Sequence, residues 1–565
     1  MTHRLSRRAF LARAVAGVGA LATSRTALAS LGATAGVVGT ARSAGAAAPF
    51  TTRLPLPQVL TGADITLVAH QADVPILPGA PTRMWTFNGS FPGPTIRRPS
   101  GQQTRLTVVH NLPTDAQTLT VHHHGSHSAS QHDGLPTPDA AIAPGASRTY
   151  VYDHTEDGAP ERAALQWYHD HTHHRTSLNS WMGLGGLFIL DDEVEAAFGL
   201  PAGAYELPLF LTDRRFTADN QLDMRLFNTP AASREVLGDV FLVNGAVQPF
   251  ADVEPRRYRL RVHNGSGFRI YNLVLRAAGS DVAMTQIGTE SGLLPASLQR
   301  STVLLGPAER ADLVVDFAPF AGRTVTLESR ARANALGSDG APAVPFVEFR
   351  VGTQALQPDN GPVPAQLRAL PGWVGAAPRQ PDRVWAFGSG VDATTLQLAH
   401  TINGRAFDHT RVDAQVELGS VETWMLLNTT TRTHYIHIHD VDWVLLGRNG
   451  AAPAAHESGL KETFLLDPGE HVLVAAKFSD HLGRYMIHCH MLDHEDGGMM
   501  ATWEVVPPGA GTPTTLTPAE QQRVTTVLAA MKARRGAPAP RAVLEALPLS
   551  RVRSDAPGLE YRCAL

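Results

Sequence analysis

Residues 484–500 read RYMIHCHMLDHEDGGMM, which sets Cys489 between His488 and His490, with His494 five residues beyond it and Met499 ten. The chain holds only two cysteines but 25 histidines. Three further clusters are His122-His123-His124, His169-Asp170-His171 and His434-Tyr435-Ile436-His437-Ile438-His439. Each of the four contains His-x-His. On a strand, residues i and i+2 share a face roughly 6.5–7 Å apart, and the residue between them points the other way. His488 and His490 can therefore serve one site while Cys489 serves another behind the same strand. The eight imidazoles of His122, His124, His169, His171, His437, His439, His488 and His490 suit three metal ions. The set left over is His434, Cys489, His494 and Met499. Two imidazoles, a thiolate and a weak thioether are the ligands of a blue-copper electron-transfer site. An electron accepted there would reach the three-ion cluster through the residues bonded to Cys489.

The elements that must position these groups repeat. Asn88-Gly89, Asn244-Gly245 and Asn403-Gly404 recur at offsets of 156 and 159 residues, and Pro144, Pro307 and Pro468 at 163 and 161. Strands such as TRLTVVHN, YRLRVHN and VETWMLLN alternate with period two between Gly, Pro and Asn turns, and helical periodicity is scarce. Three copies of one all-β unit follow, each a Greek-key sandwich or barrel, over 50–195, 203–353 and 383–507. A Pro/Gly-rich linker, 354–382, precedes the third. The histidine pairs occupy corresponding places in units one and three and are missing from unit two. Units one and three should therefore meet around the cluster, with unit two a structural spacer. The tail, 508–565, contains one amphipathic helix: Thr517-Pro518-Ala519-Glu520 caps it, and Val524, Val527, Leu528 and Met531 form its apolar stripe.

Net charge is −4, which offers no electrostatic case for nucleic acid or an anionic membrane. No apolar run after the N-terminus is long enough to span a bilayer. Residues 1–49 read as an address and a linker: Arg7-Arg8 before an Ala-rich stretch is a twin-arginine pattern, and Ala27-Leu28-Ala29 offers a cleavage site. This predicts twin-arginine export to the periplasm or the exterior. Cys489 and Cys563 could form only one bridge, and none if Cys489 holds a metal.

From about residue 50 to 507 the chain resembles the multicopper oxidases. GLKETFLLDPGE, YMIHCHMLDHEDGGMM and GPAERADLVVDF are similar to the bacterial three-domain laccases, spore-coat laccases and bilirubin oxidases. The resemblance implies three tandem cupredoxin-like domains and copper in one type 1, one type 2 and two type 3 positions. It implies His122 and His437 at the type 2 ion; His124, His169 and His490 at one type 3 ion; His171, His439 and His488 at the other; and His434, Cys489 and His494, with axial Met499, at type 1. Tyr435 stands where the family usually has proline. The implied reaction takes single electrons from a small phenolic or tetrapyrrole-like donor, or from a metal ion, and reduces dioxygen to water. Asp133 and Glu495 match family positions that relay protons; a turn cap and a histidine-orienting role are their plainer readings. A monomer is expected. The sequence holds 11 methionines without a Met-rich insert, so organic donors are favoured over Cu(I), Fe(II) or Mn(II). Two functions of a different kind fit less well. A copper-free exported scaffold would have lost its ligands, and a nitrite reductase needs only one catalytic copper.

Overall fold

The structure is a computed structural model that describes residues 48–330, 343–391 and 396–511, with six more between 522 and 529. The twin-arginine segment up to residue 47, Cys563 and most of the C-terminal helix lie outside the described residues. Apart from a two-stranded ribbon of 155–156 with 159–160, the described strands assemble into three pairs of sheets, built from residues 59–191, 206–351 and 383–506. Helices are few and short, and among the described residues none is long and apolar enough to cross a membrane.

Period-two alternation fills each sandwich. Leu67, Leu106, Val108 and Phe188 pack in the first, and Leu209, Leu260, Leu313 and Phe349 in the second. In the third, Trp385, Trp424, Trp443 and Trp503 are wholly buried in the cluster that also holds Cys489. Each such side chain stabilises the fold by about 1.5–3 kcal/mol.

Two sheets carry the histidines. The first runs, edge to edge, through 59–60, 95–99, 185–191, 164–170 and 121–124. The other runs through 414–417, 500–506, 483–489, 434–438 and 463–466. Strand Ala164–Asp170 is buried on both faces. Tyr168 faces the first core, while Leu165 and Trp167 pack with Phe210 and Ala308 of the middle pair. His169 continues the second row, and its ring stacks on Trp167 with centroids 4.1 Å apart. The middle pair also sends Phe268 and Ile270 into the third core. Tyr435 is fully buried, and its ring takes the space that a Cβ on Gly306 would fill. Val524 of the C-terminal helix is buried; with Leu528 it shares a cavity with Met425, Leu446 and Leu473 of the third pair.

Candidate metal centre

Register sorts the donors. Strand His434–Ile438 pairs antiparallel with Gly483–Cys489, Ile436 opposite Cys489 and His437 opposite His488. Tyr485, Ile487 and Cys489 turn into the tryptophan-lined core with Ile436 and Ile438. His437, His488 and His490 take the opposite face, as alternation requires. In the first unit His169 pairs with His122, and Trp167 with His124. His123, on the reverse face, is buried against Tyr152 and Phe188.

The two faces gather two sets of donors. On the outer face, His122, His437 and His439 converge, as do His124, His169 and His490, and His171, His439 and His488; within each group the donor atoms lie within 4.8 Å of one another. Inside the third unit, His434, Cys489 and His494 form a fourth such group. There the Cys489 Sγ is 3.5 Å from His434 Nδ1 and 3.6 Å from His494 Nδ1, and those nitrogens are 3.1 Å apart. Met499 packs in the same buried cluster as Cys489, and its carbonyl accepts the Cys489 N–H at 3.0 Å. Met500 packs elsewhere, with Leu135, Ala140 and Met486.

The outer-face imidazoles are oriented by what holds their far nitrogens. Nδ1 of His122 donates to the Asp133 carbonyl at 2.6 Å, Nδ1 of His169 to the Asp170 carbonyl at 2.8 Å, and Nδ1 of His437 to the Glu462 carbonyl at 3.0 Å. Nδ1 of His439 meets Asp133 Oδ2 at 2.7 Å. Nδ1 of His171 and of His488 lie 3.0 and 3.1 Å from the two oxygens of Glu495. A hydrogen bond at one ring nitrogen leaves the other with its lone pair. Six of the eight therefore turn Nε2 inward. His124 is reversed: its Nε2 meets Glu462 Oε1 at 2.9 Å and its Nδ1 has no partner.

The inward atoms have the character of metal donors. His169 Nε2, His171 Nε2, His124 Nδ1 and both nitrogens of His490 are buried without hydrogen-bond partners, a costly state for polar atoms unless a ligand completes them. His122 Nε2 faces His437 Nε2 at 3.4 Å, and His439 Nε2 faces His488 Nε2 at 3.2 Å; nitrogens so placed have room for a shared ion with bonds of ~2.0 Å. Burial, and after it neighbouring charges, chiefly imidazoles, hold His122, His124, His437, His439, His490 and His494 well below the ordinary imidazole value. Burial likewise pushes His169 and His434 down to about 3. Both effects favour the neutral imidazole in these eight rings, the form that coordination demands. Burial pushes the Cys489 thiol up to about 12, so a cation is needed to make it a thiolate there.

The two flanking acids differ. Burial, then the charge of Asp440, holds Asp133 well above the usual carboxylate range. For Glu495 burial acts in the same direction, but His171 and His488 outweigh it and hold the carboxyl well below that range. Environments that push two acids apart separate a proton holder from an anion.

Three residues that sequence reasoning left without a role also belong here. Glu462 touches His124. Arg310, from the middle unit, donates to Glu462, to the Leu165 carbonyl at 2.8 Å and to the Ala308 carbonyl at 3.1 Å. The middle unit is thus more than a spacer, because it sends a buried guanidinium to the carboxylate that orients His124. His400 lies against His494, ring centroids 4.4 Å apart. A charged pair, Lys461-Glu462, opening the apolar run Thr463–Leu466 was the available signal for Glu462; His400 had none.

Residues 69–195 and 377–509 match sequence profiles described as multicopper oxidase. A laccase of Bacillus subtilis is 32% identical over 489 residues, spanning 76% of this chain and 91% of that protein. A bilirubin oxidase of Albifimbria verrucaria is 34% identical over 438 residues, 74% of this chain and 72% of that protein. A crystal structure of a laccase from Pediococcus acidilactici superposes with a TM-score of 0.69 at 30% identity, covering 82% of this chain and 96% of that one.

Proposed function

The chain belongs to the multicopper oxidases, copper-dependent oxidoreductases with type 1, 2 and 3 sites, and from that premise we propose that it is a laccase-like enzyme that oxidises phenolic or related organic donors by single electrons and reduces dioxygen to water. In this reading His434, Cys489 and His494, with Met499 beside them, would hold the type 1 copper. His122 and His437 would hold type 2, His124, His169 and His490 one type 3 ion, and His171, His439 and His488 the other. Copper supplies the one-electron and dioxygen chemistry; the residues supply position, protons and the path between sites. Cys489 is bonded through the backbone to His488 and His490, so one covalent stretch joins the two donor sets. At the Cys489 site the outer nitrogen of His434 is occupied by Thr430 Oγ1 at 2.8 Å. That leaves the outer edge of His494 as the door for the donor. Glu495, in reach of Nδ1 of His171 and His488, and Asp133, in reach of Nδ1 of His439, are placed to move protons to the cluster.

The observation that favours an organic donor is the charge around His494. A metal-ion donor needs ligands there. The neighbouring acids are taken: Asp493 and Asp496 by Arg234 at 2.6 and 3.3 Å, and Glu235 by Arg432 at 2.9 Å. Arg432, the partner of Glu235, is the cationic group nearest His400, His434 and His494, so these acids come to an incoming cation already paired. Oxygen uptake by the copper-loaded protein with a bulky phenol, bilirubin and Cu(I), measured in parallel, tests this. A preference for Cu(I) of about tenfold in kcat/KM would overturn it in favour of a metallo-oxidase. Arg7 and Arg8 support twin-arginine export, tested by fractionating cells that express the R7K/R8K variant. We also propose a monomer, tested by light scattering.

A further inference from the structure

His400 sits at the door just described, outside every donor set. It belongs to the strand Leu398–Ile402, and its backbone N–H donates to the Gly497 carbonyl at 2.9 Å, directly behind the segment that carries His494. Its ring is packed in deliberately. A Cβ on Gly497 would lie 2.9 Å from His400 Cδ2 and 3.0 Å from Ala232 of the middle unit, so glycine at 497 is what lets the imidazole close on His494. The two rings meet at 51°, and Phe268 closes another side of His494 at 5.2 Å. Despite this packing, Nδ1 of His400 is buried without a hydrogen-bond partner, while Nε2 is not so buried and no side-chain hydrogen bond ties it among the described residues, which leaves Nε2 as the nitrogen a ligand can meet. A polar ring wedged in place and left unpaired calls for an explanation. Two residues earlier, on the same face of the strand, Leu398 is 67% exposed and offers an apolar lip.

We propose that His400 is a substrate-binding residue that receives the hydroxyl of a phenol against the edge of His494, with Leu398 covering the aromatic ring. The inference rests on the reading of the chain as an oxidase of organic donors and adds the group that recognises them. The imidazole supplies a hydrogen-bonding nitrogen, and the leucine supplies apolar area. The Arg432 guanidinium nearby suits a neutral or anionic oxygen better than a cation. The chemistry is that of a hydroxylated arene: an oxygen that needs a polar partner on a ring that needs an apolar one.

The test compares 2,6-dimethoxyphenol with ferrocyanide, an inorganic donor that needs no docking group, on copper-loaded wild type, H400F and H400N. The expected result with the phenol is a KM raised about tenfold or more in H400F, where ring volume is kept and both nitrogens are lost, with partial recovery in H400N. The readout is the difference between the two donors: in H400F the phenol kcat/KM should fall about tenfold further than the ferrocyanide kcat/KM, and H400N should recover part of that gap. Equal losses with both donors would show that His400 acts on the copper site alone and would overturn the proposal, as would an unchanged phenol KM in H400F. Wild type that consumes oxygen with ferrocyanide but ignores the phenol would instead defeat the organic-donor reading, and this inference with it.

Discussion

Glu462 lies across His124: its Oε1 is 2.9 Å from Nε2, the ring nitrogen that six neighbouring imidazoles turn inward. The contact makes His124 present Nδ1 to the cluster, and Arg310 anchors the carboxylate from the middle unit. Removing the charge should loosen one type 3 position and leave the Cys489 site alone. We expect E462Q to bind that copper about 10–100-fold more weakly with an unchanged blue band. Copper titration followed by elemental analysis and visible absorption checks this; loss of the blue band in step with the cluster copper would refute it.

Glu495 is shared by His171 and His488 at 3.0 and 3.1 Å, a pairing that favours its ionised form. E495Q should keep the fold and the blue colour and lose most turnover, on the order of 10²-fold for a lost proton-transfer group. Oxygen-uptake kinetics decide the matter. Activity near wild type would leave Glu495 only an orienting role.

Cys489 and His488 point to opposite faces of one strand, so the two sites should be separable by one substitution. C489S should lose the intense visible absorption while the outer-face cluster still takes up copper. Elemental analysis beside the spectrum tests this, and an apo-like protein with no copper at all would count against independent faces.

His127 is buried between units one and three, its ring nitrogens 3.8 Å from Asp442 and 3.5 Å from Asp480. Burial alone would lower it, but Glu156, Asp442 and Asp480 outweigh burial and hold the imidazole well above its ordinary value of 6.5. A group raised in the fold contributes stability that is fully present below its unfolded pKa and is lost as pH rises through the folded one. Thermal stability should therefore fall on the alkaline side, and H127Q should flatten that dependence. At neutral pH the variant should be less stable by about 3 kcal/mol, the cost of breaking a buried pair. Melting temperatures of both proteins from pH 6 to pH 10 give the comparison.

Much of this site could be read from spacing because strand alternation is a local rule. His-x-His means one face, and a cysteine inside it means the other, whatever the rest of the chain does. The repeat offsets placed the histidines of units one and three at matching positions, and the structure brings His122 and His437 together across 315 residues. The contacts that tune the site obey no such rule. Glu462 meets His124 across 338 residues, and Arg310 meets Glu462 across 152. Neither pairing follows a period, since each depends on how one sandwich packs on another. Tyr435, a departure from the family pattern, is explained only by the bare backbone of Gly306 that receives its ring. His400 was silent for the same reason: its neighbour, His494, is reached through a sheet edge and not through the strand it sits on.

In the proposed assignment the strand Gly483–Cys489 and the histidine that follows it serve two chemistries by parity alone. A one-residue shift would not erode the sites gradually; it would trade their contents, driving imidazoles into a tryptophan cage and a thiol toward oxygen. Lineages descended from this chain can thus experiment here by replacing residues but not by gaining or losing one, and a frozen length, more than a frozen spelling, is the mark this strand should leave on its descendants.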